Sequence, residues 1–211
     1  MKPLHHHLIE VALSTIRPTQ VTVGYIEVQE KRKEWESLAK SERKQLIDAH
    51  WFPSILGPSG QYFIVDHHHL GLALHQEGHE KVRLTVLEDL SWLELDLFWR
   101  VMEFKRWVHP FDAKGARVSF QKIPKSIAEL KDDPYRSLVG LIRKRGGFAK
   151  DETPYSEFLW ADYFRDKIQL KLIQSSMEQA IELGLGIAKL PQARYLPGWV
   201  SKDASIGDTF R

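Results

Sequence analysis

The chain has 211 residues, 43% hydrophobic and 27% charged, with a formal net charge of +2 and no cysteine. That length supports one large domain or a domain plus an extension, and the composition is that of an ordinary globular protein. A near-neutral charge argues against a protein whose main task is to coat nucleic acid, although a local basic patch stays compatible with it. The absence of cysteine excludes disulfides, thiolate catalysis, Cys-ligated zinc and iron–sulfur clusters. No stretch approaches the roughly 20 apolar residues of a membrane span, so a soluble cytoplasmic protein is expected.

In chain order, Leu8 to Leu13 is predicted as a first strand and Ser14 to Gln20 as a polar turn. Val21 to Tyr25 follows, where Gly24 permits an unusual backbone angle or close approach to a ligand. From Ile26 to Ala39 the pattern is helical, with Ile26, Val28, Trp35 and Leu38 apolar and the charges between them forming a solvated face. A second helix is predicted from Ser41 to His50. The turn Gly57-Pro-Ser-Gly60 joins Phe52 to Leu56 and Gln61 to Val65 as a hairpin.

At Asp66-His67-His68-His69 the second hairpin strand runs into a helix that begins around Leu70 and ends at Glu77-Gly78. Asp66 is a preferred N-cap residue. Such a junction gathers backbone N–H groups and partial positive charge, and so suits an anion. The histidines would add donors, a proton carrier or metal ligands there; alternatively the run is only a cap with solvated side chains. Residues three apart share a face, so Asp66 and His69 are expected to converge and His67 to point elsewhere. A metal held by Asp66 and His69 would need ligands from another segment, His109 or Asp112.

Lys81 to Leu87 alternates as a third, central strand. Ser91-Trp-Leu-Glu94 reads as a capping box opening a helix to Trp107, with Trp92, Leu95, Phe98, Trp99, Met102 and Trp107 as its core stripe. Trp107 to Gly115 is a loop, and Ile123 to Leu130 and Pro134 to Arg145 are predicted helices. Arg143, Lys144 and Arg145 either meet a phosphate backbone or complement a helix dipole. A helix starts at Thr153-Pro154, another covers Gln174 to Lys189, and Leu190 to Arg211 is a tail. Trp107 and Trp160 either pack in a core or stack on a base.

Arg17-Pro18-Thr19-Gln20 through Gly24, Lys31, and Val65 to His69 together resemble the ParB/sulfiredoxin fold, closest to the bacterial ParB-like nucleases. Trp107 to Pro110, Asp112 to Gly115 and Lys150 to Asp162 extend the resemblance to about residues 8–170. It implies an α+β fold, a small mixed sheet surrounded by helices, with a core over 1–115 and a helical C-terminal extension over 116–211 packed on it. In relatives the equivalent of the Asp66 to Leu70 turn binds phosphate, for phosphoryl transfer from a nucleotide or for CTP binding. The chain departs from them in having no cysteine, which excludes sulfinic-acid reduction, in Leu70 where others carry an arginine or other donor, and in His67 where glycine is frequent.

The resulting expectation is an enzyme acting on a phosphate-containing substrate, by nucleotide-dependent phosphoryl transfer or hydrolysis. Asp66, His68 and His69 would be catalytic, with Thr19, Gln20, Gly24, Lys31, His67, His109 and Lys150 binding substrate. The expected cofactors are a nucleotide such as ATP and Mg2+. The alternatives are a metal-dependent nuclease using Asp66 and His69, with nucleic acid as partner, and a non-catalytic DNA- or protein-binding module.

Overall fold

The computed structural model describes residues 7–201, which fold as the expected mixture of helices and a small mixed sheet. The chain divides into two compact units after Asp132.

In the first unit, β1 (His7–Ala12), β3 (Phe52–Gly57), β4 (Gln61–Ile64) and β5 (Lys81–Asp89) form one sheet in the order β1-β5-β3-β4. β5 pairs antiparallel with β1 and parallel with β3, while β3 and β4 form the predicted hairpin. β5 is central because Val82 and Leu84 are wholly buried. The hairpin turn requires its small residues: Ser59 and Gly60 have φ of 59° and 68°, and a Cβ on Gly57 would lie 2.6 Å from the Phe63 ring.

Two short strands, β2 (Thr22–Val23) and β6 (Lys131–Asp132), pair in parallel apart from this sheet. Between β2 and β3 lie α1 (Tyr25–Ser37) and α2 (Lys40–Ala49); α3 (His68–Gln76) follows β4, and α4 (Leu95–Phe104) follows β5. Leu13, Ile16, Phe52, Ile64, Leu72, Leu74 and Leu84 share one buried cluster. Ile55, Phe63, Phe98, Trp99 and Met102 belong to another.

Several expectations need correction in this unit. The capping box at Ser91 does not form, because Asp89 Oδ1 accepts from both the Ser91 N–H (2.9 Å) and hydroxyl (2.6 Å), and α4 begins only at Leu95. Trp92 (76% exposed) and Leu95 (51%) are therefore not core, while Phe98, Trp99 and Met102 are. The helix predicted over Ile123 to Leu130 is only a short 3-10 turn at Ile127–Glu129. Pro124 holds Ile123 extended, Ser126 caps Ala128 locally, and Lys131 must donate to Val21 O at 3.1 Å to pair β6 with β2. Because Ile127 and Leu130 enter the first core, the boundary falls after Asp132 rather than near residue 115.

The second unit contains α5 (Pro134–Lys144), α6 (Ser156–Lys167), α7 (Leu170–Ser175) and α8 (Met177–Ala188). Asp133 caps α5 by accepting from Tyr135 N–H at 3.0 Å, with Pro134 in the first turn. Burial pushes the Asp133 carboxyl above its usual range, and Arg165, 2.7 Å away, pulls it back. Leu138, Val139, Ile142, Trp160 and Phe164 form the centre of this core. The helix expected from Thr153 begins at Ser156, after Tyr155 in a left-handed conformation with φ 65°. The single helix expected from Gln174 to Lys189 breaks at Ser176, whose hydroxyl caps α8. The basic run Arg143 to Arg145 ends α5, with Arg143 facing Glu157 at 3.2 Å and Arg145 bonded to Glu178 at 2.8 Å. Of the predicted tail, Leu190 to Ser201 lies among the described residues, and Leu196 is buried.

Candidate anion-binding site at the start of α3

β4 delivers Val65 beside β3, where its N–H donates to Pro53 O at 2.9 Å. The chain then reverses at His67, which sits left-handed (φ 63°, ψ 23°) and occupies the N-cap position of α3. Asp66 was expected to be the cap. Instead its Oδ1 accepts from the adjacent His67 N–H at 2.6 Å, and the carboxylate stays exposed. The reversal delays the helix by one residue, so that Gly71 N–H bonds His67 O at 2.8 Å. A non-glycine residue in this conformation costs about 1–2 kcal/mol. That is the physical reason glycine suits the position.

His68 and His69 turn back toward the segment around β2. His68 is buried, and its Nε2 accepts from the Thr19 N–H at 3.1 Å. The Thr19 hydroxyl donates to Ile64 O at 2.8 Å, and Thr19 O accepts from His109 N–H at 2.8 Å. His69 Nε2 accepts from the Gly24 N–H at 3.0 Å, while its Nδ1 lies 3.6 Å from Glu27 Oε2. A ring nitrogen that accepts a backbone N–H carries no proton, so both imidazoles hold theirs on Nδ1. These bonds tie α3 to β2 and α1. Gly24 serves as a donor here and has an ordinary extended backbone (φ −82°, ψ 113°), so of its two readings, an unusual angle or close approach to a ligand, the first does not hold.

The metal expectation fares poorly on the donor set. The His69 Nε2 lone pair already faces Gly24, and Asp112 Oδ1 accepts from Lys114 N–H (2.9 Å) and Ala116 N–H (3.0 Å). Among the described residues, no three His, Asp or Glu side chains are grouped to hold a metal ion. A resident divalent ion bound through Asp66 and His69 does not fit this arrangement.

What gathers at the junction is a set of groups of both signs: Lys31 with Glu27, the rings of His50 and His67, and the exposed Asp66 carboxylate. Lys31 on α1 lies 3.7 Å from Glu27, and its charge reaches His67. The His67 ring packs against Phe52 (5.5 Å) and His50 (6.1 Å), the residue that follows α2. Burial holds the His67 imidazole below its ordinary value of 6.5; Asp66 raises it, and His50 and Lys31 lower it further. Gln20 is buried and bridges His109, whose ring stacks on Phe111 at 4.4 Å. Lys150 belongs to the second unit.

Sequence reasoning missed Glu27 and His50. Glu27 had a signal, four residues before Lys31 on one helix. His50 had none, since its proximity to His67 arises from the fold between α2 and β4.

His67 also gives a pH dependence. The unfolded imidazole takes a proton near pH 6.5, whereas the folded one resists until lower pH. Its contribution to stability is therefore complete above that pH and declines as pH falls through 6.5 toward the folded value. His67→Gly should flatten the loss of denaturant stability between about pH 7.5 and 5.5 while relieving the left-handed backbone. An unchanged slope would mean that another group carries it.

The mixed sheet with its acid-and-histidine turn into α3 places the chain among ParB/sulfiredoxin-like α+β proteins. The family described as "Putative ParB-like nuclease" matches residues 9–166, and the chain belongs to it. A crystal structure of protein Atu1540 from Agrobacterium tumefaciens is similar, with 42% identity, a TM-score of 0.85, and coverage of 92% of this chain and 98% of that one. No curated protein matches. Among the described residues, no helix is long and apolar enough to cross a membrane.

Proposed function

We propose that this protein is an enzyme that binds a phosphate-containing substrate, a nucleotide in the first instance, at the N-terminus of α3 and transfers or hydrolyses its phosphoryl group. The observation that carries the reading is the meeting of Lys31, His50 and His67 at that helix start, with the exposed Asp66 carboxylate beside them. Phosphate oxygens would lie along the first-turn N–H groups and Lys31, the arrangement that helix dipoles favour. His67 would take up a proton as the anion arrives. Asp66 would orient the attacking oxygen or meet Mg2+ entering with the nucleotide, since that ion is commonly held by one carboxylate and substrate phosphates. His68 and His69 act by holding Thr19 and Gly24, which with Gln20 and His109 form the opposite wall.

The family match favours a second reading, a nuclease whose substrate is a phosphodiester of nucleic acid. The same N–H groups and Lys31 would then hold the backbone phosphate, with a metal ion entering alongside it.

Thermal-shift measurements with ATP, ADP, CTP and GTP, each with and without magnesium, test the first reading. A ligand at about 100 times its dissociation constant adds roughly 2.7 kcal/mol to folding stability. The shift should disappear in Lys31→Ala, whose half-exposed ion pair with Glu27 contributes little to the fold. His69→Ala would be a poor control because it also orphans the Gly24 N–H. No shift with any nucleotide overturns the nucleotide reading; cleavage of DNA or RNA lost in Asp66→Ala would then support the nuclease.

A further inference from the structure

We propose that residues 113–128 form a docking surface for a nucleic-acid duplex, holding its phosphate backbone beside the α3 site. The proposal goes beyond both readings of that site, because docking requires neither a nucleotide nor turnover. The segment carries Lys114, Arg117, Lys122 and Lys125 and no acidic residue, a formal +4 in a chain whose total is +2. The remainder therefore carries −2, and the near-neutral total conceals a segregated basic stretch. All four basic residues are exposed. The acids nearest in sequence are turned to other tasks. Asp112 Oδ1 accepts the Lys114 and Ala116 N–H groups, and Glu129 Oε2 accepts the Lys125 N–H at 3.1 Å. Glu103 bonds Arg117 at 2.6 Å. Among the described residues, the ammonium groups of Lys114, Lys122 and Lys125 enter no ion pair.

The fold ties this stretch to the α3 site at both ends. Just before it, the His109 N–H donates to Thr19 O at 2.8 Å, on the wall opposite α3. At its far end, Ile127 packs on the first turn of α3, its Cδ1 3.7 Å from where a Cβ on Gly71 would stand. Between them Phe111 bridges Arg117, and Gly115 turns left-handed (φ 74°) to present Lys114 at a loop tip. A phosphate chain held along the segment is therefore led toward the helix start. The chemistry of the surface selects the partner. Protein interfaces are poor in lysine and rely on buried aromatic or aliphatic anchors. Here Phe120 is engaged by Trp99 at 5.5 Å and Arg117 at 5.4 Å, and Phe111 by His109 at 4.4 Å. The segment thus offers no free ring to stack an unpaired base, the usual grip on a single strand. A duplex turns its phosphates outward and needs only cations.

Fluorescence anisotropy with a labelled short DNA duplex in EDTA measures docking without turnover. Wild type should bind with a Kd of about 1–100 µM, and log Kd should rise with log salt with a slope of about 3, one for each lysine. Each of Lys114→Ala, Lys122→Ala and Lys125→Ala should lower that slope by about one. The triple alanine variant should bind at least about tenfold more weakly and keep its far-UV circular dichroism, since all three positions are exposed. The triple arginine variant should bind as wild type does. The triple alanine variant should also keep any nucleotide-induced thermal shift that Lys31→Ala loses, so that failure of docking and failure of the α3 reading are told apart. No binding by wild type at about 100 µM protein and 50 mM salt overturns the proposal. So does an unchanged slope in the triple alanine variant, or tighter binding of the corresponding single strand. Competition by polyglutamate as strong as by the duplex would also overturn it, in favour of an acidic protein.

Discussion

Replacing Trp160 by alanine is expected to destabilise the second unit by about 3–5 kcal/mol, the usual range for a fully buried tryptophan. The ring has no solvent exposure and lies stacked 4.1 Å from Phe148 and 5.6 Å from Phe164, with Tyr163 edge-on at 5.8 Å. Its Nε1–H donates to Pro197 O at 2.8 Å, which holds the segment after α8 against α6. Alanine would remove both the aromatic contacts and that donor, leaving a cavity and an orphaned carbonyl. Trp160→Phe should recover much of the loss, because it keeps the stack and gives up only the hydrogen bond. Urea denaturation followed by near-UV circular dichroism measures the difference. A cost below about 1 kcal/mol for the alanine variant would be incompatible with this packing. The same burial decides between the two readings of Trp160: it is a core residue, not a platform for a base.

What was legible in the sequence was what local chemistry dictates. The alternation of Val82, Leu84 and Val86, and the Gly57-Pro-Ser-Gly60 turn, specify strands and a hairpin without reference to distant residues. The Asp66 to His69 run marked the right junction for the same reason. Its internal roles were not legible, because one dihedral, φ 63° at His67, moves the cap from the aspartate to the histidine. The partners of His68 and His69 lie at Thr19 and Gly24, far upstream, and no periodicity links them. Trp92 illustrates the opposite failure. Spacing placed it in the helical stripe, but Asp89 captures Ser91, the helix starts only at Leu95, and Trp92 lies before it and exposed. The break at Ser176 was likewise hidden, since Gln174 to Lys189 carries an uninterrupted helical composition and only the serine's capping bond ends one helix and starts the next.

His68→Ala should cost the first unit about 3 kcal/mol or more, from the cavity left by a buried ring and the loss of the Thr19 N–H acceptor. The effect would spread, because Thr19 O receives the His109 N–H and the Thr19 hydroxyl bonds Ile64 O at the end of β4. Glutamine distinguishes holding from chemistry. Its amide oxygen can reach the position of Nε2 and accept the same N–H, but it carries no titratable proton. If His68 serves to position the β2 segment, His68→Gln regains most of the stability in urea denaturation and keeps the nucleotide-induced thermal shift. If His68 instead transfers a proton in the reaction, His68→Gln folds and binds but loses turnover. Stability within about 0.5 kcal/mol of wild type for His68→Ala would remove the structural role altogether. The bond to Thr19 makes the first outcome the expected one, since the nitrogen that would act on substrate is occupied by the protein's own backbone.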